Sequence, residues 1–236
     1  MSFIEREQFE PSLIGIFINP FYIARRGLFR NIRLFGGAVT GKTLDVGCGT
    51  KPYEHLFNST EYIGMEIETT TNRKGKKADV YYGGGGFPFN DGEFDSLVTN
   101  QVFEHVFNPY DFLKEINRVM KQNGTLLLTV PFVWDEHEKP YDYARYSSYG
   151  IQRILEQHGF GIITLVKSVN DVSLIAQLIN GYLYKKTMHN VLLRRITTAT
   201  VMATITILGI VLGRLLPKND DFYLDNVILA KKVSSV

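Results

Sequence analysis

The chain has 236 residues, 44% of them hydrophobic, and sets 26 lysines and arginines against 24 aspartates and glutamates for a net charge of +2. That size and composition suit one globular domain with a full core and exclude a collagen-like, disordered or multi-span membrane chain, and the charge gives no pointer to nucleic acid. The one cysteine, Cys48, excludes an internal disulfide framework and a cysteine-based zinc cluster, so a reducing compartment is expected.

At the amino terminus Glu5, Arg6, Glu7 and Glu10 interrupt any apolar run, which predicts no secretion signal and a cytoplasmic protein. Residues 11–44 contain no acid. Within them a basic amphipathic helix is expected over 11–40, with Phe21, Leu28, Ile32 and Phe35 on one face and Arg26, Arg30 and Arg33 on the other. Short apolar runs then alternate with helical patterns, the signature of a parallel sheet with crossover helices. Strands are predicted at Thr43–Val46, Tyr62–Ile67, Ala78–Tyr82, Phe94–Thr99 and Thr125–Val130. The clearest helix precedes the last of these: Asn108 is a cap residue, Pro109 suits the first helical position, Phe112, Leu113, Ile116, Val119 and Met120 form one apolar stripe, and Gly124 is expected to end it. Ser147 or Ser148 should cap a further helix that stops at His158-Gly159, with strands following at Phe160–Val166 and Phe222–Ala230. Between those two strands, residues 172–219 hold no acid and six cations, Lys185, Lys186, Arg194, Arg195, Arg214 and Lys218, around an uncharged run from Ile196 to Gly213. An inserted helical pair over 171–219 is predicted.

The strongest local signal is Leu44-Asp45-Val46-Gly47-Cys48-Gly49-Thr50, placed where a strand gives way to a turn. Glycines 47 and 49 let the backbone turn tightly and bring its N–H groups close to a ligand. Glu66 stands 21 residues beyond Asp45 at the end of the second strand, where a carboxylate can accept both hydroxyls of a ribose. The two together point to a nucleoside. A dinucleotide fingerprint would ask for glycine or alanine at position 52, and Pro52 disfavours nicotinamide chemistry there.

With LDVGCGTKPY, YIGMEIE, FPFNDGEFDSL, VFEHV and RVMKQNGTLLLTVPF in this order, residues 19–165 resemble the class I S-adenosylmethionine-dependent methyltransferases, in particular the type 11 group related to ubiquinone and polysaccharide-cluster methyltransferases. The resemblance implies a Rossmann-like, doubly wound α/β sheet of seven strands, mostly parallel, with an antiparallel last strand and the helical insertion before it. It implies S-adenosylmethionine as cofactor, with Asp45, Gly47, Cys48 and Gly49 bordering its methionine portion, Glu66 on the ribose, and Asn100 and Gln101 lining the pocket near the sulfonium. One departure stands out: the acid that the family often carries ahead of the Pro-Phe pair is replaced by Gly83-Gly84-Gly85-Gly86, so adenine recognition would fall to backbone groups or Asp79, unless these glycines form a loop without a ligand role.

Methyl transfer to a hydroxyl benefits from a base, and the candidates are His105, which follows Glu104 after the fourth strand, and His137 or Asp142, in the loop Trp134–Tyr146 after the fifth; the resemblance makes the Glu104-His105 pair common whatever the substrate, so a structural role is the competing reading for His105. Arg145 could hold a phosphate or carboxylate; the competing reading pairs it with Asp142 to order the loop. His137 with Glu136 and Glu138 would make a poor metal site, because sequence neighbours do not converge readily on one ion, so no metal is expected. His55, His158 and His189 read as surface or capping residues. The expected acceptor is an oxygen of a sugar, glycolipid or quinone-like lipid. The alternative is a membrane-associated scaffold that keeps the fold without turnover. The basic segments 11–40 and 172–219 suit the inner face of an anionic membrane, against a lid or homodimer contact as the competing use; no nucleic-acid partner is expected.

Overall fold

Leu44, Val46, Leu97, Leu126, Leu128 and Val130 lie in near-continuous apolar runs, and a strand buried on both faces needs such a run. In the computed structural model, which describes residues 2–235, these runs are the central strands of a seven-stranded sheet. The strands are β1 (Thr40–Val46), β2 (Asn58–Ile67), β3 (Val80–Tyr82), β4 (Phe94–Asn100), β5 (Met120–Pro131), β6 (Phe160–Ser168) and β7 (Asp225–Lys232). They are ordered β3-β2-β1-β4-β5-β7-β6. The β1–β2, β2–β3, β1–β4 and β4–β5 pairs are parallel, and the sheet closes with antiparallel strands. The fold class read from the sequence is therefore the one observed.

The helices are α1 (Phe3–Phe9), α2 (Gly15–Ile18), α3 (Tyr22–Gly36), α4 (Thr70–Gly75), α5 (Pro109–Val119), α6 (Ser148–Gln157), α7 (Ser173–Thr187), α8 (Val191–Thr197) and α9 (Ala203–Leu215), with a π-helical stretch at Thr198–Met202 joining the last two. Two expectations are corrected. Segment 11–40 is not one helix: Asn19 and Pro20 separate α2 from α3, and the Asn19 side chain accepts from Phe21 N at 2.9 Å to start the new helix. In α3, Leu28 and Ile32 are buried, so its apolar face is packed inside the protein. Gly124 does not end α5, which stops at Val119; Met120 already belongs to β5. Gly124 sits where β5 slips against β4, between the pairs Phe94↔Met120 and Ser96↔Thr125, and a Cβ there would lie 3.1 Å from Asp95 O.

The chain divides into two units. One comprises Ile32–Phe132, Glu136–Val166 and Asn226–Val236 and holds most of the sheet. Its core packs the β1, β4 and β5 side chains against Leu113, Ile116 and Val119 of α5 and Ile151 and Leu155 of α6. The other comprises Met1–Asn31, Val133–Asp135 and Lys167–Asp225. There α7 packs on α9 through small residues: a Cβ on Gly209 would stand 2.4 Å from the Ala176 side chain. Buried Asn180 donates to Met202 O at 3.2 Å and Thr206 Oγ1 at 2.9 Å. The inserted helical pair is thus present as α7 and the run α8–α9. Val191–Leu215, 25 residues, is long and apolar enough to cross a membrane by length and composition.

Candidate functional site

The chain runs from β1 outward to β2 and β3, then returns to β4 on the other side of β1, which makes the β1/β4 crevice the switch point of this sheet. Two turns meet there. Gly47, after β1, has φ +75°, and a Cβ on it would lie 2.3 Å from Val102 Cγ2, after β4. Only glycine permits both the positive φ and that approach. Gly49, at φ +55°, faces open space, where a Cβ would meet nothing nearer than Lys76 Nζ at 3.9 Å. The turn is therefore tied down on one side and accessible on the other.

Glu66 is buried at the end of β2, with Oε2 accepting from Gly49 N at 3.1 Å and Oε1 from Ile67 N at 3.3 Å. A carboxylate fixed beside an accessible glycine turn matches what a ribose diol requires, and these residues fit the nucleoside end of S-adenosylmethionine. Asp45 is 4% exposed; burial pushes its carboxyl up to about 7, although the Tyr62 hydroxyl, which donates to Oδ2 at 2.6 Å, favours the anion. Burial also raises the Cys48 thiol well above its ordinary value, so this cysteine is a neutral packing group at the turn. Gln101 adopts φ +54°, and its side chain is turned back so that Nε2 donates to Thr129 Oγ1 at 3.3 Å, an atom that in turn meets Asn100 Oδ1 at 3.4 Å. Asn100 and Gln101 thus stand together at the carboxyl end of β4. Asp79 accepts from Gly64 N at 2.7 Å and from Lys51, which places it against β2. The four glycines 83–86 are exposed, and the following Phe87 is held by Glu115 on its N–H at 2.6 Å and by Arg118 on its carbonyl at 3.0 Å.

The acceptor-side candidates, spread over 40 residues of sequence, converge. His105 ends the short 3-10 turn Phe103–His105 after β4, three residues beyond Val102. Its Nδ1 donates to Tyr141 O at 2.7 Å and its Nε2 lies 3.2 Å from His137 Nε2. His137 Nδ1 is 3.3 Å from Asp142 Oδ2, which also accepts from His137 N at 2.9 Å. Arg145 grips Asp142 with both terminal nitrogens, at 2.6 and 2.7 Å, and this pairing holds the carboxyl down at about 2. The loop-ordering ion pair weighed from the sequence is therefore formed, and the same Asp142 orients His137. Glu136 instead pairs with exposed Lys139 at 2.8 Å. Sequence reasoning gave Glu104 no role beyond its pairing with His105, and it passed over Tyr62. Glu104 is fully buried, with Oε1 at 3.8 Å from His105 Nε2 and 3.9 Å from His137 Nε2; the signal was there in an acid preceding a histidine at a strand end. His158 caps α6 through Nδ1 on Ile154 O at 2.7 Å, and His55 and His189 are exposed.

Residues 44–128 match the family model of a methyltransferase domain. Among curated proteins, an uncharacterized protein of Methanocaldococcus jannaschii, MJ1123, is 30% identical over 93 residues, 38% of this chain and 44% of that protein; the chain spans less than half the length of the curated relatives it matches. Two solved structures share the fold at 16% identity and a TM-score of 0.53. One is the [4+2]-cyclase SpnF, with 89% of this chain and 81% of that one covered. The other is phosphoethanolamine N-methyltransferase 2 of Haemonchus contortus in complex with S-adenosylmethionine, with 99% and 60% covered. At this identity the likeness establishes the fold alone.

Proposed function

We propose that this chain, a class I S-adenosylmethionine-dependent methyltransferase, moves a methyl group to an oxygen of a small or amphiphilic acceptor such as a sugar, a glycolipid or a quinone-like lipid. S-adenosylmethionine supplies an electrophilic methyl group on a sulfonium. Glu66 would take the ribose hydroxyls, the Gly47–Gly49 backbone and Asp45 would border the methionine portion, and Asn100 and Gln101 would stand at the reacting end. What the chain itself must add is alignment and removal of a proton. The observation that carries the oxygen-acceptor reading is the His105–His137 contact, backed by Asp142, three residues past the side chain that packs on Gly47. With Asp142 fixing its Nδ1, His137 presents Nε2 as the proton acceptor, in the manner of a base oriented by a carboxylate. Exposed Tyr141 and Tyr143 border this loop and suit stacking on a sugar or quinone ring.

The amphiphile reading draws on the second unit. Ile207, Leu208, Val211 and Leu212 of α9 and Leu192 and Leu193 of α8 are exposed, and Arg194, Arg195, Arg214 and Lys218 flank them. Such a surface suits the inner face of an anionic membrane.

The test is a donor-labelled transfer assay against fractionated lipid and polysaccharide extracts, run beside calorimetry of donor binding. A labelled product is expected, Glu66→Ala should abolish donor binding, and His137→Gln should slow transfer by roughly 10²–10⁴-fold with donor affinity kept. Absence of donor binding, unchanged by Glu66→Ala, overturns the reading.

A further inference from the structure

In the His105–His137 pair, the outer partners decide where the ring protons sit. Tyr141 O can only accept, so His105 Nδ1 carries the hydrogen of their 2.7 Å contact and its Nε2 keeps a lone pair. Asp142, ion-paired with Arg145, stands 3.3 Å from His137 Nδ1, and the tautomer that sets its hydrogen toward this carboxylate keeps the lone pair on His137 Nε2. These two lone-pair nitrogens nevertheless face one another at 3.2 Å, and the Glu104 carboxylate stands 3.8 and 3.9 Å from them. The rings cross at 83°, so they are not stacked on one another. One nitrogen from each histidine and one Glu104 oxygen thus lie within 4.8 Å of one another, a spacing at which three side chains can hold a single ion.

The spacing selects which cation. Four ligands at 2.0–2.1 Å in a tetrahedron stand about 3.3 Å apart, the zinc geometry for histidine nitrogen and carboxylate oxygen. The observed separations of 3.2, 3.8 and 3.9 Å bracket that edge, so small side-chain adjustments close the set. Histidine ligands whose second nitrogen is held by a carboxylate or a backbone carbonyl are the arrangement that fixes ring orientation in metal sites, and both versions occur here. We propose that Glu104, His105 and His137 bind one divalent transition-metal ion of the zinc class, with Asp142 and the Tyr141 carbonyl as its outer shell. Three protein ligands leave a fourth position open, as in catalytic rather than structural zinc sites. An acceptor oxygen entering that position would be acidified by the ion and give its proton to solvent, and His137, its Nε2 lone pair then on the ion, would act as a ligand in place of the base role it has without metal. Only this last step rests on the methyl-transfer reading; binding of the ion does not.

The full chain, stripped with a chelator and titrated with Zn²⁺ in a calorimeter, is expected to take up one saturable equivalent. His137→Ala and Glu104→Gln should each weaken uptake at least about 100-fold, and Asp142→Asn by roughly 10–100-fold. Donor binding, retained in the same variants, reports that they are folded. Independently of any variant, Co²⁺ added to the wild-type chain should give the intense visible bands of a tetrahedral ion. No saturable Zn²⁺ uptake, unchanged affinity in His137→Ala, or a Co²⁺ spectrum no stronger than that of the hydrated ion overturns the site; a proton shared between the two histidines would give the first of these. Zinc uptake without donor binding would remove the methyl-transfer reading and leave the site standing, and the reverse result would remove the site alone.

Discussion

Asp45 is an acid enclosed at the carboxyl end of β1, where Tyr62 reaches across from β2 to donate to it at 2.6 Å. Enclosure disfavours the anion more than the hydroxyl favours it, so the carboxyl titrates near 7 in the folded chain against about 3.9 in an unfolded one. Between those values the native state holds a proton that the unfolded state has released. Stability contributed by this group therefore falls as pH rises from about 4 to 7, by up to about 1.4 kcal/mol per pH unit. Denaturant unfolding at pH 5 and pH 7 should show that slope, and Asp45→Asn, neutral throughout, should flatten it. An unaltered slope in Asp45→Asn would place the titrating group elsewhere. This prediction belongs to a residue whose partner was hidden in the sequence: the turn was legible because its backbone geometry demands glycine, and Glu66 through its spacing from Asp45, whereas Tyr62 reads only as a strand aromatic until β1 and β2 are set side by side in register. His105 and His137 were each visible as candidates, but their meeting across 32 residues is a product of tertiary folding.

At the scale of elements, what was legible followed periodicity and what was missed followed packing. The α5 stripe and its Pro109 start are local signals and were found. The end of α5 was misplaced because Gly124 looks like a helix stop, while its actual duty is to let β5 pass close to Asp95 O. For α3 the sequence shows two faces without saying which one is covered, and the buried Leu28 and Ile32 put its apolar face inside. The α7–α9 contact gives a direct check of packing. A Cβ on Gly209 would press on Ala176 at 2.4 Å, whereas one on Gly181 would meet nothing within 4 Å. Gly209→Val should cost roughly 1–3 kcal/mol in denaturant unfolding through overpacking, while Gly181→Ala, with room and a better helix propensity, should be neutral or stabilising by up to about 1 kcal/mol. Equal effects of the two substitutions would mean that α7 and α9 do not pack in solution as described.

Over the whole molecule the net charge of +2 is an average of unlike parts. Residues 11–44 contribute +5 and residues 172–219 contribute +6, which leaves -9 on the remainder. The strand order restricts how the second basic segment can meet a bilayer. β6 and β7 are neighbours in one sheet, and α7, α8 and α9 form the connection between them, so the connection must return to the side it left. A single crossing by Val191–Leu215 would strand β7 from β6, and α7 is a poor second crossing because it buries Gln177 and Asn180 and ends in Lys185 and Lys186. If this segment meets a bilayer, the geometry that keeps the sheet intact would lay the apolar run in the interface with its cations toward the headgroups. Binding of that kind rests partly on charge, at roughly 1 kcal/mol for each cation near an anionic surface, and is screened once the Debye length falls to about 3 Å near 1 M salt. Flotation with vesicles rich in an anionic phospholipid should therefore carry the protein at low salt, lose most of it at high salt, and weaken further when Arg194 and Arg195 are both changed to glutamine. Retention at high salt on uncharged vesicles would instead indicate deep apolar insertion, and failure to float under any condition would remove the membrane from the acceptor argument and leave a water-soluble sugar as the substrate class to pursue.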